Sequence, residues 1–108
     1  MARKNNIVID QGSTFSTNII ALDANNDPID LTTYTANSQM RKTYSSSTAY
    51  DFNVSLANDG TITLSMNAAT TSTIIEGRYV YDVEIQNTSG IRTRVVEGIA
   101  TVTPQVTR

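Results

Sequence analysis

Apolar and polar residues alternate with a period of two along most of this 108-residue chain, the spacing of strands whose successive side chains face opposite sides of a sheet. Residues 6–11 read as a short first strand that ends at Gly12. Residues 14–23 read as a second, carrying Phe15, Ile19, Ile20 and Leu22. Ile19 and Ile20 stand side by side, which implies burial on both faces or a bulge. Residues 24–28, Ala-Asn-Asn-Asp-Pro, form a dense turn signal. The third strand sets Tyr34, Ala36, Ser38 and Met40 on one face and Asn37, Gln39 and Arg41 on the other. A Ser/Thr loop over residues 44–49 follows.

The clearest hairpin comes next. Phe52, Val54 and Leu56 alternate with Asn53 and Ser55, then Asn58-Asp59-Gly60 turns the chain, and Ile62, Leu64 and Met66 resume the alternation. Residues 67–75 break the pattern, and residues 68–73 suit one helical turn crossing between sheets. The sixth strand, residues 78–86, puts Tyr79, Tyr81, Val83 and Ile85 on one face and Arg78, Val80, Asp82 and Glu84 on the other. A turn at residues 87–90 leads into a last strand over residues 91–103, in which Glu97-Gly98 marks a bulge or sheet switch and Pro104 ends the ladder. About seven short strands, each closed by a turn signal, predict an all-β fold: an antiparallel β-sandwich of immunoglobulin-like architecture. A small barrel is the alternative reading of the same pattern. The length suits one domain over residues 1–108, with a short N-terminal arm at residues 1–6. The predicted core is Tyr34, Met40, Phe52, Val54, Leu56, Ile62, Leu64, Tyr79, Tyr81, Val83 and Ile85.

Composition sharpens this. Thr, Ser and Asn number 17, 10 and 10, while charged residues are only 17%. The β-branched and apolar content suits half-buried pleated surfaces. Cys and His are both zero. That removes disulfides, thiolate chemistry, the Ser-His-Asp triad and the commonest metal ligand. With Trp also zero, the strongest stacking platform for sugars or bases is missing. A net charge of -2 gives no general basic field for nucleic acid or an anionic membrane. No apolar run approaches the ~20 residues of a membrane span. The basic start is not followed by a long apolar stretch, so a signal peptide is not expected.

Candidate chemistry is sparse. Asp23, Asn25 and Asp27 have the spacing that opens a calcium loop, but Pro28 and Tyr34 stand where that loop needs Gly and a bidentate Glu. An Asx-rich turn is the favoured reading, with a weak site at Asp23, Asp27 and Asp30 as the alternative. Asp82 and Glu84 lie two apart on one strand face. If the sixth strand lies between the third and the seventh, Arg41 on one side and Arg92 or Arg94 on the other flank them in a sheet-face charge ladder. Such arginines are expected to hold both carboxylates ionised, which argues against catalysis. Tyr44, Ser46 and Tyr50, with Asn25 and Asp27, are the candidate exposed contact residues. No cofactor and no metal is expected.

Several ordered segments carry a resemblance. They are residues 9–15 (Ile-Asp-Gln-Gly-Ser-Thr-Phe), residues 28–36 (Pro-Ile-Asp-Leu-Thr-Thr-Tyr-Thr-Ala) with Gln39-Met40-Arg41, and residues 60–65 (Gly-Thr-Ile-Thr-Leu-Ser). Residues 77–83 (Gly-Arg-Tyr-Val-Tyr-Asp-Val) and Glu97-Gly98-Ile99 with Val102-Thr103-Pro104 complete the set. In this order they resemble small immunoglobulin-like β-sandwich virion structural proteins of tailed phages, closest to those of contractile-tailed phages of marine cyanobacteria. Related domains occur in baseplate upper proteins and tail-tip proteins. The resemblance covers residues 7–107 and implies a non-catalytic virion structural protein, docked on the tail, neck or baseplate in multiple copies. Its implied partners are other virion structural proteins, with no nucleic acid and no membrane. A capsid decoration protein on the head is the alternative, and a carbohydrate-binding adhesion module for a host-surface glycan is the alternative of another class.

Overall fold

Tyr79, Tyr81, Val83 and Ile85 are all buried on one face of β8 (Gly77–Gln86). This ten-residue strand is the spine of the larger sheet. The computed structural model describes residues 3–23 and 25–106. In chain order the other elements are β1 (Arg3–Lys4), β2 (Ile7–Asp10), β3 (Phe15–Ile20), β4 (Thr35–Arg41), β5 (Ala49–Asp51), β6 (Asn53–Leu56), β7 (Thr61–Met66), α1 (Ala68–Thr71) and β9 (Arg92–Thr103). Among the described residues, nine strands stand where about seven are expected. The two extra are β1 and β5, only two and three residues long, too short to show a period.

The strands form two sheets. One has the order β1-β9-β8-β4-β5, with β2 also on β9, and the other the order β3-β7-β6. Their inner faces share one core, so the domain is an all-β, immunoglobulin-like sandwich. β4 lies antiparallel on one side of β8 and β9 on the other. The Asn58-Asp59-Gly60 turn joins β6 and β7 as expected, and α1 carries the chain from one sheet to the other, capped by the Asn67 side chain on the Thr70 N–H.

Of the expected core, Met40, Phe52, Ile62, Leu64, Tyr79, Tyr81, Val83 and Ile85 are buried, while Tyr34, Val54 and Leu56 are half-buried against it. The core also takes Ile7, Ile9, Ile19, Leu31, Met66, Ile74, Val96 and Val102. Phe52 stands with its ring centroid 6.0 Å from both Phe15 and Tyr81, tilted on the first and edge-on to the second.

Three expectations are corrected. Ile19 and Ile20 mark neither a bulge nor two buried faces: Ile19 is buried and Ile20 is 42% exposed, in unbroken register with β7. The bulge in β9 is not at Glu97-Gly98. Val83 faces Val96 and Glu84 faces Arg94, so Val95 is the extra residue, and Val95 and Val96 are both buried. Gly98 instead lies where a Cβ would overlap the Asn5 carbonyl. Finally, residues 3–6 are not a free arm, and residues 1 and 2 of the expected arm lie outside the described residues. β1 and β2 pair in parallel with β9, from Arg3 opposite Val96 to Asp10 opposite Thr103, and the Tyr81 hydroxyl donates to the Asn5 carbonyl.

A buried clamp holds the β2–β3 turn. Thr71 is fully buried, and its hydroxyl donates to the Ser13 carbonyl at 2.8 Å and accepts from the Gly12 N–H at 3.1 Å. Gln11 donates to the Ile74 carbonyl at 2.8 Å and accepts from the Gln105 N–H at 3.0 Å. Gly12 has φ 82°, a left-handed conformation that suits glycine. Thr71→Val keeps the side-chain shape but leaves the part-buried Gly12 N–H and Ser13 carbonyl without this partner. It is expected to lower unfolding free energy by about 1–3 kcal/mol, with Thr71→Ser losing less. Urea denaturation of the three proteins measures this, and a Thr71→Val midpoint equal to wild type would refute the clamp.

Candidate functional site

The outer face of the larger sheet carries a cluster of charged side chains. Because β8 alternates, burying its tyrosines turns Asp82 and Glu84 outward. The registers then decide their neighbours. Asp82 lies between Gln39 on β4 and Glu97 on β9, and Glu84 lies between Asn37 and Arg94. The Val95 bulge matters here, because one extra residue shifts the alternation of β9 between Arg94 and Glu97. Both can then meet Asp82 on one side of the sheet. Arg94 Nε lies 3.3 Å from Asp82 Oδ2, and Arg94 Nη1 lies 3.6 Å from Glu97 Oε2.

Arg41 is tied differently. It donates to the Ser46 carbonyl at 2.6 Å and to Gln39 Oε1 at 3.1 Å, and Gln39 in turn donates to Asp51 at 2.8 Å. Arg92 donates to Gln86 at 3.0 Å. Of the expected ladder, the structure therefore brings Arg94 onto Asp82. Arg41 stands on the same hollow without an ion pair, and Glu84 and Arg92 share a neighbouring hollow, also without one among the described residues. Glu97 completes the cluster; plain alternation sets it on the opposite face from Arg94, three residues away, so the sequence pattern alone does not place it there. Two adjacent valines in a strand of otherwise regular alternation were the signal for the true bulge.

For Asp82 the flanking arginines do not keep the carboxyl from being shifted upward. Burial pushes its carboxyl above the ordinary aspartate range; Arg94 and, least of all, Arg41 pull it down, while Glu84 and Glu97 push it further up. The sheet floor removes water from one side of the carboxyl, and the arginines do not fully compensate.

Tyr44 projects from the β4–β5 loop beside this cluster, 80% exposed. Together these side chains line an open hollow of about 280 Å3. Tyr50 is not exposed as expected. It is half-buried on β5, with its ring 6.0 Å from that of Tyr79 in an edge-on contact. Ser46 is half-buried and contributes its carbonyl to Arg41.

Asn25 and Asp27 are exposed, but at the other end of the domain. Asp23 shares a hollow there with Asn87 and Ile91 of the β8–β9 turn, whereas the Tyr44 loop leaves β4 at Arg41, which pairs with Val80. The five expected contact residues therefore do not form one site. Asp23 Oδ1 accepts from the Asn25 and Asp27 N–H groups at 2.8 and 3.0 Å, an Asx-turn arrangement. Asp30 accepts from the Thr32 N–H and hydroxyl, which pull its carboxyl below the ordinary range. Among the described residues, no group of three or more acidic side chains converges to hold a metal ion.

No family model matches the chain, and no curated protein matches it in sequence. Among solved structures it is similar to murine CRIg, at 14% identity over 93% of this chain and 92% of that one, with a TM-score of 0.44. It is also similar to an internalin-like protein of Listeria monocytogenes, at 18% identity over 96% of this chain and TM-score 0.45. A third is a family 123 glycoside hydrolase from Clostridium perfringens, at 11% identity over 97% of this chain and TM-score 0.46. The chain spans 28% and 24% of the length of the last two. Likenesses at these levels carry no argument about activity or partners.

The electrostatics of the face are testable by carboxyl NMR titration. Asp82 is expected to titrate above the ordinary aspartate range, higher still in Arg94→Gln and lower in Glu84→Gln. A carboxyl whose folded pKa is raised stabilises the fold while protonated, and that stability is lost as pH rises through the raised value. Relative to Asp82→Asn, the wild-type protein should therefore lose stability as pH rises from the unfolded aspartate pKa through the folded one. An Asp82 titration at or below the ordinary value would refute the burial account.

Proposed function

We propose that this chain is a non-catalytic structural protein of a tailed-phage virion, docked in multiple copies on the tail, neck or baseplate. One observation carries the reading: apart from Arg41, Asp82 and Glu97, which face outward on the larger sheet, the residues of the phage-like motifs that the structure puts to work hold the scaffold together. Gln11, Gly12 and Ser13 form the clamp to Thr71, Ile74 and Gln105. Asp30 and Leu31 shape the entry to β4, with Leu31 buried and Asp30 holding Thr32. Ile62, Leu64, Tyr79, Tyr81 and Val102 fill the core, Gly98 admits the Asn5 backbone, and Thr103 donates to Asp10 at 2.8 Å. A motif set spent on holding a small sandwich together suits a component that is repeated and docked. It does not describe a reaction centre. The titratable cluster on the larger sheet is an open, ion-paired face with no nucleophile–base pair among the described residues. A head decoration protein has the same requirements and differs only in its place on the particle.

A second reading has its own observation. Tyr44 stands exposed beside Arg41, Asp82, Glu84 and Glu97, and an aromatic ring next to carboxylates and a guanidinium can hold a sugar by stacking and hydrogen bonds. That face would serve an adhesion module.

Immunogold electron microscopy of intact phage particles, with an antibody against this chain, separates these readings. Label confined to the tail, neck or baseplate is the expected result, and label over the head would make it a decoration protein. Absence of label, with the chain present in infected-cell lysate, would overturn the virion reading. Glycan-array binding lost in Tyr44→Ala would establish the adhesion reading, whereas an array without binding would remove it.

A further inference from the structure

The free edges of the two sheets are unequal. β5 is three residues long and ends on Asp51, and β6 is four residues flanked by Asp51 and Asp59. The edge formed by β1 and β2 carries Arg3, Lys4 and Asp10. Short length and charge are the usual protections against strand pairing between chains. β3 has neither. Its six residues, Phe-Ser-Thr-Asn-Ile-Ile, include no charge and no proline, and its register with β7 has no bulge.

The backbone parity of β3 follows from one bond. The Ala21 N–H donates to the Gly60 carbonyl at 2.8 Å, so Ala21 and, two by two, Ile19, Thr17 and Phe15 address β7. Ser16, Asn18 and Ile20 therefore turn both N–H and C=O to the free edge. Arg3 reaches the Ile20 carbonyl there at 3.5 Å. The space beside the edge is open, with one hollow lined by Val8, Asp10 and Ser13–Thr17 and another by Arg3, Lys4 and Asn18–Ile20. It is the place a further strand of the smaller sheet would fill. The N-terminal strands leave it free because they pair with β9 instead.

We infer that this edge pairs with the same edge of a second copy, antiparallel, with Asn18 on the two-fold axis. Centred there, Ser16 faces Ile20 of the second copy, Asn18 faces Asn18, and Ile20 faces Ser16. All three outward residues exchange both backbone bonds, and any other centre loses a pair. Charge selects the same arrangement. Arg3 and Lys4 border the Ile20 end of the edge and Asp10 borders the Ser16 end, so the two-fold brings the cations of one copy to the anion of the other. Parallel pairing would set like charges together. The inference holds for the purified chain, independently of any place on a particle, so its failure and that of the virion reading are separate events.

Sedimentation velocity over a concentration series tests it, with Asn18→Lys and Asn18→Asp, whose folding is checked by circular dichroism melts. The wild-type chain is expected to form a concentration-dependent dimer. Each variant alone should be monomeric, because like charges meet on the axis, and an equimolar mixture should recover a heterodimer. Asn18 is exposed on the outer face, so both variants should fold. If one does not, Ser16→Lys replaces it, which sets a cation against Arg3 and Lys4 of the second copy, with an expected weakening of at least about tenfold. A wild-type chain that stays monomeric throughout, or variants that associate like wild type, would overturn the inference. Monomeric variants whose mixture gives no heterodimer would overturn the Asn18 axis.

Discussion

The burial of one face of β8 is the constraint on which the rest of this structure depends. Tyr79, Tyr81, Val83 and Ile85 cannot leave the core without exposing two large aromatic rings and two branched chains. Their placement fixes which way every other residue of β8 faces, and a slip of one position would invert the whole strand. β4 and β9 inherit their registers from it, and through β9 so do β1 and β2. The charged face is therefore a by-product of core packing. Asp82 and Glu84 are outside because their neighbours in sequence are inside.

That origin explains the character of the face. Side chains rising from a flat sheet are screened by water from above but not from below. Asp82, in the middle strand with β4 and β9 on either side, loses solvent to the sheet floor, and its shift upward is dominated by that loss. Arg94 spans two carboxylates at once, while Arg41 is diverted to the Ser46 carbonyl. Exposed pairs of this kind contribute at most about 1 kcal/mol each. They set the charge pattern of the face more than they hold the sheet.

Much of the fold was legible because its signals are local. Period-two runs, the Asn58-Asp59-Gly60 turn and the break at residues 67–75 each declare themselves within a few residues. What stayed hidden depends on distant partners. Ile7 and Ile9 show a strand but not that it runs parallel to β9, which depends on Gly98 admitting the Asn5 backbone. Leu31 and Ile74 are buried from turns, where no alternation marks them. Tyr50 looked exposed because a three-residue strand has no readable period, and its ring contact with Tyr79 spans many residues. Of the site, the carboxylates and Arg94 followed from alternation and strand order. Glu97 and the upward shift of Asp82 did not, because both depend on how the bulge and the sheet floor dispose of space and water.

The parallel docking of the N-terminal strands gives the domain a mechanical polarity. Arg3 lies opposite Val96 and Asp10 opposite Thr103, so the chain enters near one pole and leaves near the other. Tension between those poles would run along β2 and β9 and load their hydrogen bonds in shear. Bonds loaded that way give way together, whereas the bonds of a hairpin pulled from its open end break in succession. The short pairing of β2 with β9, backed by Ile7 and Ile9 in the core, would then set the force at which the sandwich opens.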